Sequence, residues 1–152
     1  MKILSFPLLL LFMFAGYAAE AQKGLEGAWE GSMTVGGIYS DKALPMQLYL
    51  TMEGNRVKGR SYVQLPDGST LRMDLTGKLW GDMSISLVET AFAGDSFNEV
   101  MPEFNRQYQI SFKADLWNPE LSGFWQEVTR ETFGEKRRRG RMKLVRQKVK
   151  GV

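Results

Sequence analysis

Apolar and polar residues alternate with a period of two along most of this 152-residue chain, and this feature limits its possible folds most. Successive side chains of a β-strand point to opposite faces, so the alternation is typical of strands with one buried and one solvated face. Met46, Leu48 and Leu50, for example, alternate with Gln47 and Tyr49. The pattern therefore predicts an all-β chain without a long helix beyond the first 21 residues.

Residues that favour tight turns separate the alternating segments, at Glu53-Gly54-Asn55-Arg56, Pro66-Asp67-Gly68-Ser69, Gly81-Asp82 and Asn118-Pro119. Glycine and asparagine tolerate the positive φ angles that hairpin turns require. Together the segments predict about eight short strands, joined mainly by hairpins. Closing such a meander into a barrel hides its edge strands most completely. We therefore expect an antiparallel up-and-down meander closed into a small barrel, with a β-sandwich as the alternative.

A short pattern of an apolar residue, a spacer and glycine recurs as Val57-Lys58-Gly59, Leu75-Thr76-Gly77 and Leu121-Ser122-Gly123. Glycine inside a strand marks a bend, a bulge or a close backbone approach. Its repetition favours a tightly coiled barrel wall. The face opposite the apolar stripe carries charged residues such as Arg60 and Arg72, which argues against a barrel embedded in a membrane.

The first 21 residues have the three parts of a secretory signal peptide. Lys2 is basic, residues 3–14 form an apolar run, and Ala19-Glu20-Ala21 places small residues at the cleavage positions. The apolar run is too short to anchor the chain in a bilayer. We therefore expect cleavage before Gln22 and a periplasmic or secreted protein.

The remaining chain of about 130 residues has the size of one domain, and the sequence contains neither cysteine nor histidine. This composition excludes thiol nucleophiles, cysteine zinc sites and disulfides, and it removes the commonest general base and metal ligand. We expect a single barrel domain over residues 22–147, a short basic end at residues 148–152, and no enzyme activity, cofactor or metal site.

A carboxylate-based hydrolase is a minor alternative, because four acidic residues cluster around one insertion: Glu89, Asp95, Glu99 and Glu103. A glycosidase needs two carboxylates at a fixed separation, which the sequence does not define. Surface-exposed acids are the simpler interpretation of all four.

Gly27-Ala28-Trp29-Glu30-Gly31, at the start of the first strand, resembles the Gly-x-Trp opening of the lipocalins and their calycin relatives. The last alternating segment, which ends at Arg146, also resembles those small secreted barrels. The resemblance implies that Trp29 closes the barrel floor and that Arg146 or Arg141 covers its ring by a cation–π contact. The chain has no recognisable lipocalin Thr-Asp-Tyr segment or avidin biotin-binding set, so the resemblance implies an architecture but no ligand.

Methionines are frequent on the apolar stripe, at Met33, Met46, Met52, Met73, Met83 and Met142. Methionine adapts to irregular apolar shapes, and an eight-stranded barrel can be either hollow or filled. We predict a small apolar or amphipathic ligand in the barrel, with a filled core as the alternative. The predicted ligand contacts are Met46, Leu48, Met73, Met83, Ile85, Phe97, Met101, Phe112 and Trp125.

Phe97 and Met101 belong to an insertion over residues 91–106, where apolar residues follow helical spacing until Pro102. A proline inside such a segment ends the helix early, so we expect one helical turn or a short 3₁₀ segment there. The insertion is predicted to act as a lid or as an apolar cover over the barrel mouth.

The C-terminal segment is strongly basic: residues 136–152 contain nine basic residues and no acidic one, whereas residues 22–135 contain 10 basic and 16 acidic residues. An anionic lipid, a polysaccharide or a protein is the predicted partner of Arg137, Arg138, Arg139 and Lys148. Nucleic acid is not expected, because the protein is predicted to be exported and the segment lacks aromatic residues for base stacking. These residues support the alternative function of an envelope interaction or inhibitor protein; a merely solvated end is the simpler interpretation.

Overall fold

The computed structural model describes residues 23–94, 105–128 and 138–148, which form a closed antiparallel barrel of eight strands. The strands are β1 (Gly27–Thr34), β2 (Ala43–Glu53), β3 (Arg56–Gln64), β4 (Thr70–Leu79), β5 (Ser84–Phe92), β6 (Asn105–Lys113), β7 (Glu120–Val128) and β8 (Arg139–Arg146). Each strand pairs with the next, and β8 pairs with β1. The predicted up-and-down barrel is confirmed, and the β-sandwich alternative is wrong. The predicted signal peptide lies outside the described residues.

The two ends of the barrel differ in their connections. At one end, called the floor, lie the β2–β3, β4–β5 and β6–β7 turns and residues 23–26 before β1. At the other end, called the mouth, lie the β1–β2 and β3–β4 connections. No helix in the described ranges is long and apolar enough to cross a membrane.

The two-residue alternation in the sequence decides which side chains enter the barrel. In β2, Met46, Leu48 and Leu50 are buried, while Gln47 and Tyr49 are exposed. The register keeps this phase around the wall, because residues paired across neighbouring strands point to the same face. The apolar core therefore fills the inside of the barrel, and polar residues cover most of the outside.

The recurring glycines lie where two strands approach each other closely. Gly59, Gly77 and Gly123 point inward, and each stands opposite a large buried residue of the neighbouring strand: Leu50, Leu87 and Ile110, respectively. A Cβ atom at any of these three positions would lie only 1.8–2.1 Å from a carbonyl oxygen of that strand. The space beside each glycine is therefore already occupied, which explains the apolar-x-Gly pattern.

The structure corrects the predicted position of Met83, which precedes β5 instead of lying within it. Met83 has a φ of 65° and closes the β4–β5 turn by donating its N–H to the carbonyl of Trp80, at 3.1 Å. The Asp82 carboxylate accepts hydrogen bonds from the Ser84 N–H and hydroxyl, at 3.0 and 2.6 Å, and so holds the turn. The Met83 side chain still packs, partly buried, against the core.

The predicted insertion over residues 91–106 is shorter than expected, because β5 extends to Phe92 and β6 already begins at Asn105. Residues 95–104 lie outside the described part of the chain, and they include the predicted ligand contacts Phe97 and Met101. The extension of β6 toward the mouth brings Arg106 inside the barrel.

Candidate functional site

The floor of the barrel is built around the fully buried Trp29. Its indole N–H donates a hydrogen bond of 2.9 Å to the carbonyl of Leu25, in the segment that crosses the floor before β1. The Phe112 ring meets the indole edge to face, with ring centroids 5.9 Å apart. The indole is thus fixed by both its polar and its apolar atoms.

Arg146, and not Arg141, covers the Trp29 ring. The Arg146 guanidinium carbon lies 4.7 Å from the ring centroid. The same guanidinium donates hydrogen bonds to the carbonyls of Glu26, at 2.7 Å, and of Gly24. Arg141 belongs to the outer face, where its guanidinium lies 3.8 Å from Asp41. Arg146 therefore joins the end of β8 to the segment before β1.

The mouth half of the interior contains a cluster of polar side chains that we call the mouth cluster: Glu89, Arg106 and Tyr108. The Tyr108 hydroxyl donates a hydrogen bond of 2.7 Å to Glu89 Oε1, and the Arg106 backbone N–H donates one of 2.8 Å to Glu89 Oε2. The Arg106 guanidinium lies 3.8 Å from the same carboxylate. Each of the three residues is at most 5 % exposed, so this charge pair is held inside the barrel.

Soft and aromatic groups surround the charge of Arg106. Its guanidinium carbon lies 5.3 Å from the centroid of the Trp125 ring, and Nη1 lies 3.8 Å from the sulfur of Met33. Closer to the rim, the buried Glu127 carboxylate accepts a hydrogen bond of 3.0 Å from the backbone N–H of Arg138. The mouth half therefore combines apolar surface with groups that can recognise a polar ligand atom.

Burial is the largest influence on the pKa values of Glu89 and Tyr108 in the mouth cluster. It raises the pKa of Glu89 above its ordinary value, although the nearby charge of Arg106 and the hydrogen bonds from Tyr108 and from the Arg106 backbone act in the opposite direction. The pKa of Tyr108 is also raised, first by burial and then by the neighbouring Glu89 charge. The phenol therefore remains a hydrogen-bond donor at any physiological pH.

The mouth cluster was not predicted from the sequence, and the interpretation of Glu89 as a surface acid is wrong, because Glu89 is only 5 % exposed. The alternation itself contained the signal, because a polar residue in phase with buried neighbours must also point inward. Glu89, Arg106 and Glu127 each lie two positions from a buried residue of the same strand: Leu87, Tyr108 and Trp125, respectively.

The methionines are distributed unevenly along the barrel axis. The four that are at least 97 % buried all belong to the mouth half: Met33, Met46, Met73 and Met142. Met52 and Met83 are only partly buried, near the floor. The buried floor residues are aromatic or branched, such as Trp29, Val57 and Ile85. The deformable part of the core is therefore the mouth half.

The residues predicted to contact a ligand do not form one group. Met46, Met73 and Trp125 lie buried in the mouth half, and Leu48 is buried near the middle of β2. Ile85 and Phe112 are buried at the floor, beside the partly buried Met83. Four concavities of about 310 to 700 Å³ within the described ranges open on the outside of the wall. Among the described residues, the buried apolar side chains form one contiguous cluster, and a ligand that enters this cluster has to displace some of them.

The structure divides the basic C-terminal segment between the two ends of the barrel. Arg138 and Arg139 lie at the mouth, where β8 begins, and Lys148 follows the end of β8 at the floor. An eight-residue strand spans roughly 26 Å, so these residues do not share one surface. Arg137 lies outside the described residues. Within the segment, Lys143 forms a salt bridge of 3.0 Å with Glu120.

No protein-family model, curated protein or solved structure matches this chain. Among the described residues, no group of three or more histidine, cysteine, aspartate or glutamate side chains is arranged to hold a metal ion.

Proposed function

We propose that this chain is an exported, non-catalytic binding protein that holds a small amphipathic ligand in the mouth half of its barrel. The observation that carries the proposal is that the four buried methionines and the mouth cluster occupy the same half of the interior. This half offers an apolar surface for the ligand body and hydrogen-bonding groups for its polar end.

Entry of a ligand into the described core requires some side chains to move, because the buried apolar residues there pack against one another. Methionine is unbranched and has three rotatable side-chain bonds, so it adopts new shapes more easily than branched residues such as Val57 and Ile85. A ligand that enters from the mouth meets Met33, Met46 and Met142 before it reaches the rigid floor. Only the mouth half is therefore expected to repack around it.

The mouth cluster favours a ligand whose polar end carries no negative charge. The Glu89 carboxylate already accepts the hydrogen bonds of Tyr108 and of the Arg106 backbone, and it faces the Arg106 guanidinium. A second carboxylate there would repel Glu89 in a medium of low dielectric constant. A hydroxyl or amide end group is thus the best complement.

Export and relationship to the calycins are part of this proposal. Residues 1–21 have the organisation of a signal peptide, which supports export. The Gly-x-Trp opening, and the position of Arg146 over Trp29, support a calycin-type barrel. The absence of histidine and cysteine from the sequence supports a non-catalytic role.

Native mass spectrometry of the protein purified from its own host is the most direct test, because a retained ligand appears as an additional mass. The N-terminus of the same sample tests export, since a chain that begins at Gln22 is expected. A retained leader would contradict the predicted cleavage.

A titration with the uncharged apolar dye Nile red tests where binding takes place. Replacing Met46 and Met73 together by leucine keeps the side-chain volume similar but stiffens the mouth half, so we expect weaker dye binding. Met52→Leu is the matched control, because Met52 lies on the same strand as Met46 but near the floor. Equal dye binding by both variants, or neither bound dye nor retained ligand in the unmodified protein, would overturn the proposal.

A further inference from the structure

Three of the outer concavities are neighbours with shared lining residues, and together we call them the β8 groove. The largest, of about 700 Å³, lies over β6, β7 and β8 and shares Gln109 and Phe124 with a neighbour of about 310 Å³. That neighbour shares Ile38 and Arg139 with a third concavity, of about 570 Å³, beside the β1–β2 connection. The groove therefore runs along the outer wall toward the mouth, separate from the barrel interior.

A row of cations lines this groove. Arg139, Arg141 and Lys143 alternate with the inward-facing residues of β8, so all three point outward. Side chains on one face of a strand repeat roughly every 7 Å, which places three positive charges in line along the groove. The Arg141 and Lys143 side chains are 48 % and 67 % exposed, and so remain accessible to a ligand.

Among the described residues, few negative charges oppose this row. The strands β6 and β8 contain no acidic residue, and the only outward-facing acid of β7 is Glu120, at its floor end. Glu120 pairs with Lys143, while the fully exposed Asp41 lies 3.8 Å from Arg141. Within the described ranges Arg139 makes no ion pair. Positive charge therefore predominates among the described residues on the mouth side of the β8 groove.

Neutral polar groups and one aromatic ring complete the groove. Across the register, Phe124 pairs with Arg141 and is 54 % exposed, and Gln126 pairs with Arg139. Ser111 and Ser122 pair with each other on the next row. Amides and hydroxyls can bond to sugar hydroxyls, an exposed aromatic face can stack against a sugar ring, and arginine binds carboxylates in a bidentate manner.

We propose that the β8 groove binds an acidic polysaccharide chain, with Arg139, Arg141 and Lys143 contacting its carboxylates and Phe124 stacking on a sugar ring. The recessed, elongated shape suits a single polymer chain better than a flat membrane surface. An acidic peptide is less suitable, because a closed barrel has no free strand edge with which it can pair. This inference is independent of any ligand inside the barrel.

Binding of size-defined polygalacturonate to the full chain, measured by calorimetry at several salt concentrations, tests the proposal. We expect affinity that falls with salt, because exposed charges are screened. The triple variant Arg139→Gln/Arg141→Gln/Lys143→Gln should bind about tenfold more weakly, since exposed ion pairs each contribute modestly. The matched control is Arg56→Gln/Lys58→Gln/Lys78→Gln, which removes the same charge from exposed residues of β3 and β4. Thermal unfolding should show that both triple variants remain folded.

Phe124→Ala separates recognition of a sugar ring from attraction between charges. It removes no charge, so a loss of about threefold in affinity for polygalacturonate indicates ring stacking. An equal loss of affinity in the two triple variants would show that the polymer is attracted only by the net charge of the protein, and it would overturn the proposal. Stronger binding to phosphatidylglycerol vesicles or to polyglutamate than to polygalacturonate would also overturn it, in favour of a membrane or an acidic protein.

Discussion

The floor and the mouth of this barrel share one continuous wall but have different interiors. At the floor, the fully buried Trp29 is fixed by a hydrogen bond, an edge-to-face contact with Phe112 and the overlying Arg146. At the mouth, four buried methionines occupy the same half of the interior as a buried charge pair. The difference indicates that the floor provides rigidity, whereas the mouth provides a core that can change shape.

The arginines at the two ends of the barrel, Arg146 and Arg106, also differ in what balances their charge. Arg146 is only partly buried and is bound by neutral groups, namely the Trp29 ring and backbone carbonyls. Arg106 is 4 % exposed and lies close to the ionisable Glu89. Replacing Arg146 at the floor should therefore lower the free energy of unfolding by a similar amount at every pH. The loss caused by replacing Arg106 at the mouth should instead vary with pH.

Trp29→Ala should produce the largest effect of any single change in the barrel. Truncating a fully buried aromatic residue leaves a cavity that the rigid floor cannot fill, so we expect the free energy of unfolding to fall by about 4 kcal/mol. Urea denaturation followed by circular dichroism measures this loss. Trp117→Ala is the control, because Trp117 is 82 % exposed and its removal should change stability by less than about 0.5 kcal/mol. Similar losses in both variants would mean that the floor is not the rigid end.

Arg106→Met should have the next largest effect, and it should appear mainly at neutral pH. The variant leaves the Glu89 carboxylate buried without its counter-ion, which should lower the free energy of unfolding by about 3 kcal/mol. Adding Glu89→Gln should recover much of the loss, because the uncompensated charge is then gone. Urea denaturation of the single and double variants at pH 7 tests the coupling, and additive losses would argue against it.

The pH dependence of Arg106→Met follows from the direction of the Glu89 shift. Burial raises the pKa of Glu89 in the folded protein above its ordinary value of 4.5, and removing Arg106 raises it further. The folded state then binds the proton more tightly than the unfolded state, so stability is gained below pH 4.5 and is lost as pH rises through the folded pKa. We therefore expect the destabilisation to shrink as the pH is lowered toward 4.5. A loss that is constant over this range would show that Glu89 does not titrate with a raised pKa.

Arg146→Lys should have the smallest effect of the three. Lysine keeps the charge but lacks the flat guanidinium, which lies over Trp29 and also donates hydrogen bonds to the carbonyls of Gly24 and Glu26. We expect a loss of about 1 kcal/mol in the free energy of unfolding, with little dependence on pH. A strong pH dependence for this variant would remove the electrostatic distinction between floor and mouth.

The sequence alone determined the wall of the barrel. Alternation with a period of two is a property of neighbouring residues, so the strands, their buried faces and the turns at Gly54 and Gly68 could be predicted without knowledge of tertiary contacts. Closure was the favoured prediction, because it hides the edges of a meander most completely, but only the pairing of β8 with β1 decided against a β-sandwich. Met83 was misplaced because a tight turn imposed a positive φ on a residue that fits a strand pattern.

Only the tertiary structure decided which buried polar groups become partners and which charges act together. Glu89 and Arg106 are 17 positions apart and become a pair only because β5 and β6 are adjacent in the wall. The basic C-terminal segment is continuous in sequence, yet β8 sends its residues inward, outward and to both ends of the barrel. The β8 groove likewise combines residues of separate strands. The free energy of a buried or clustered charge depends on partners brought close by the fold, and this information does not exist in any local pattern of residues.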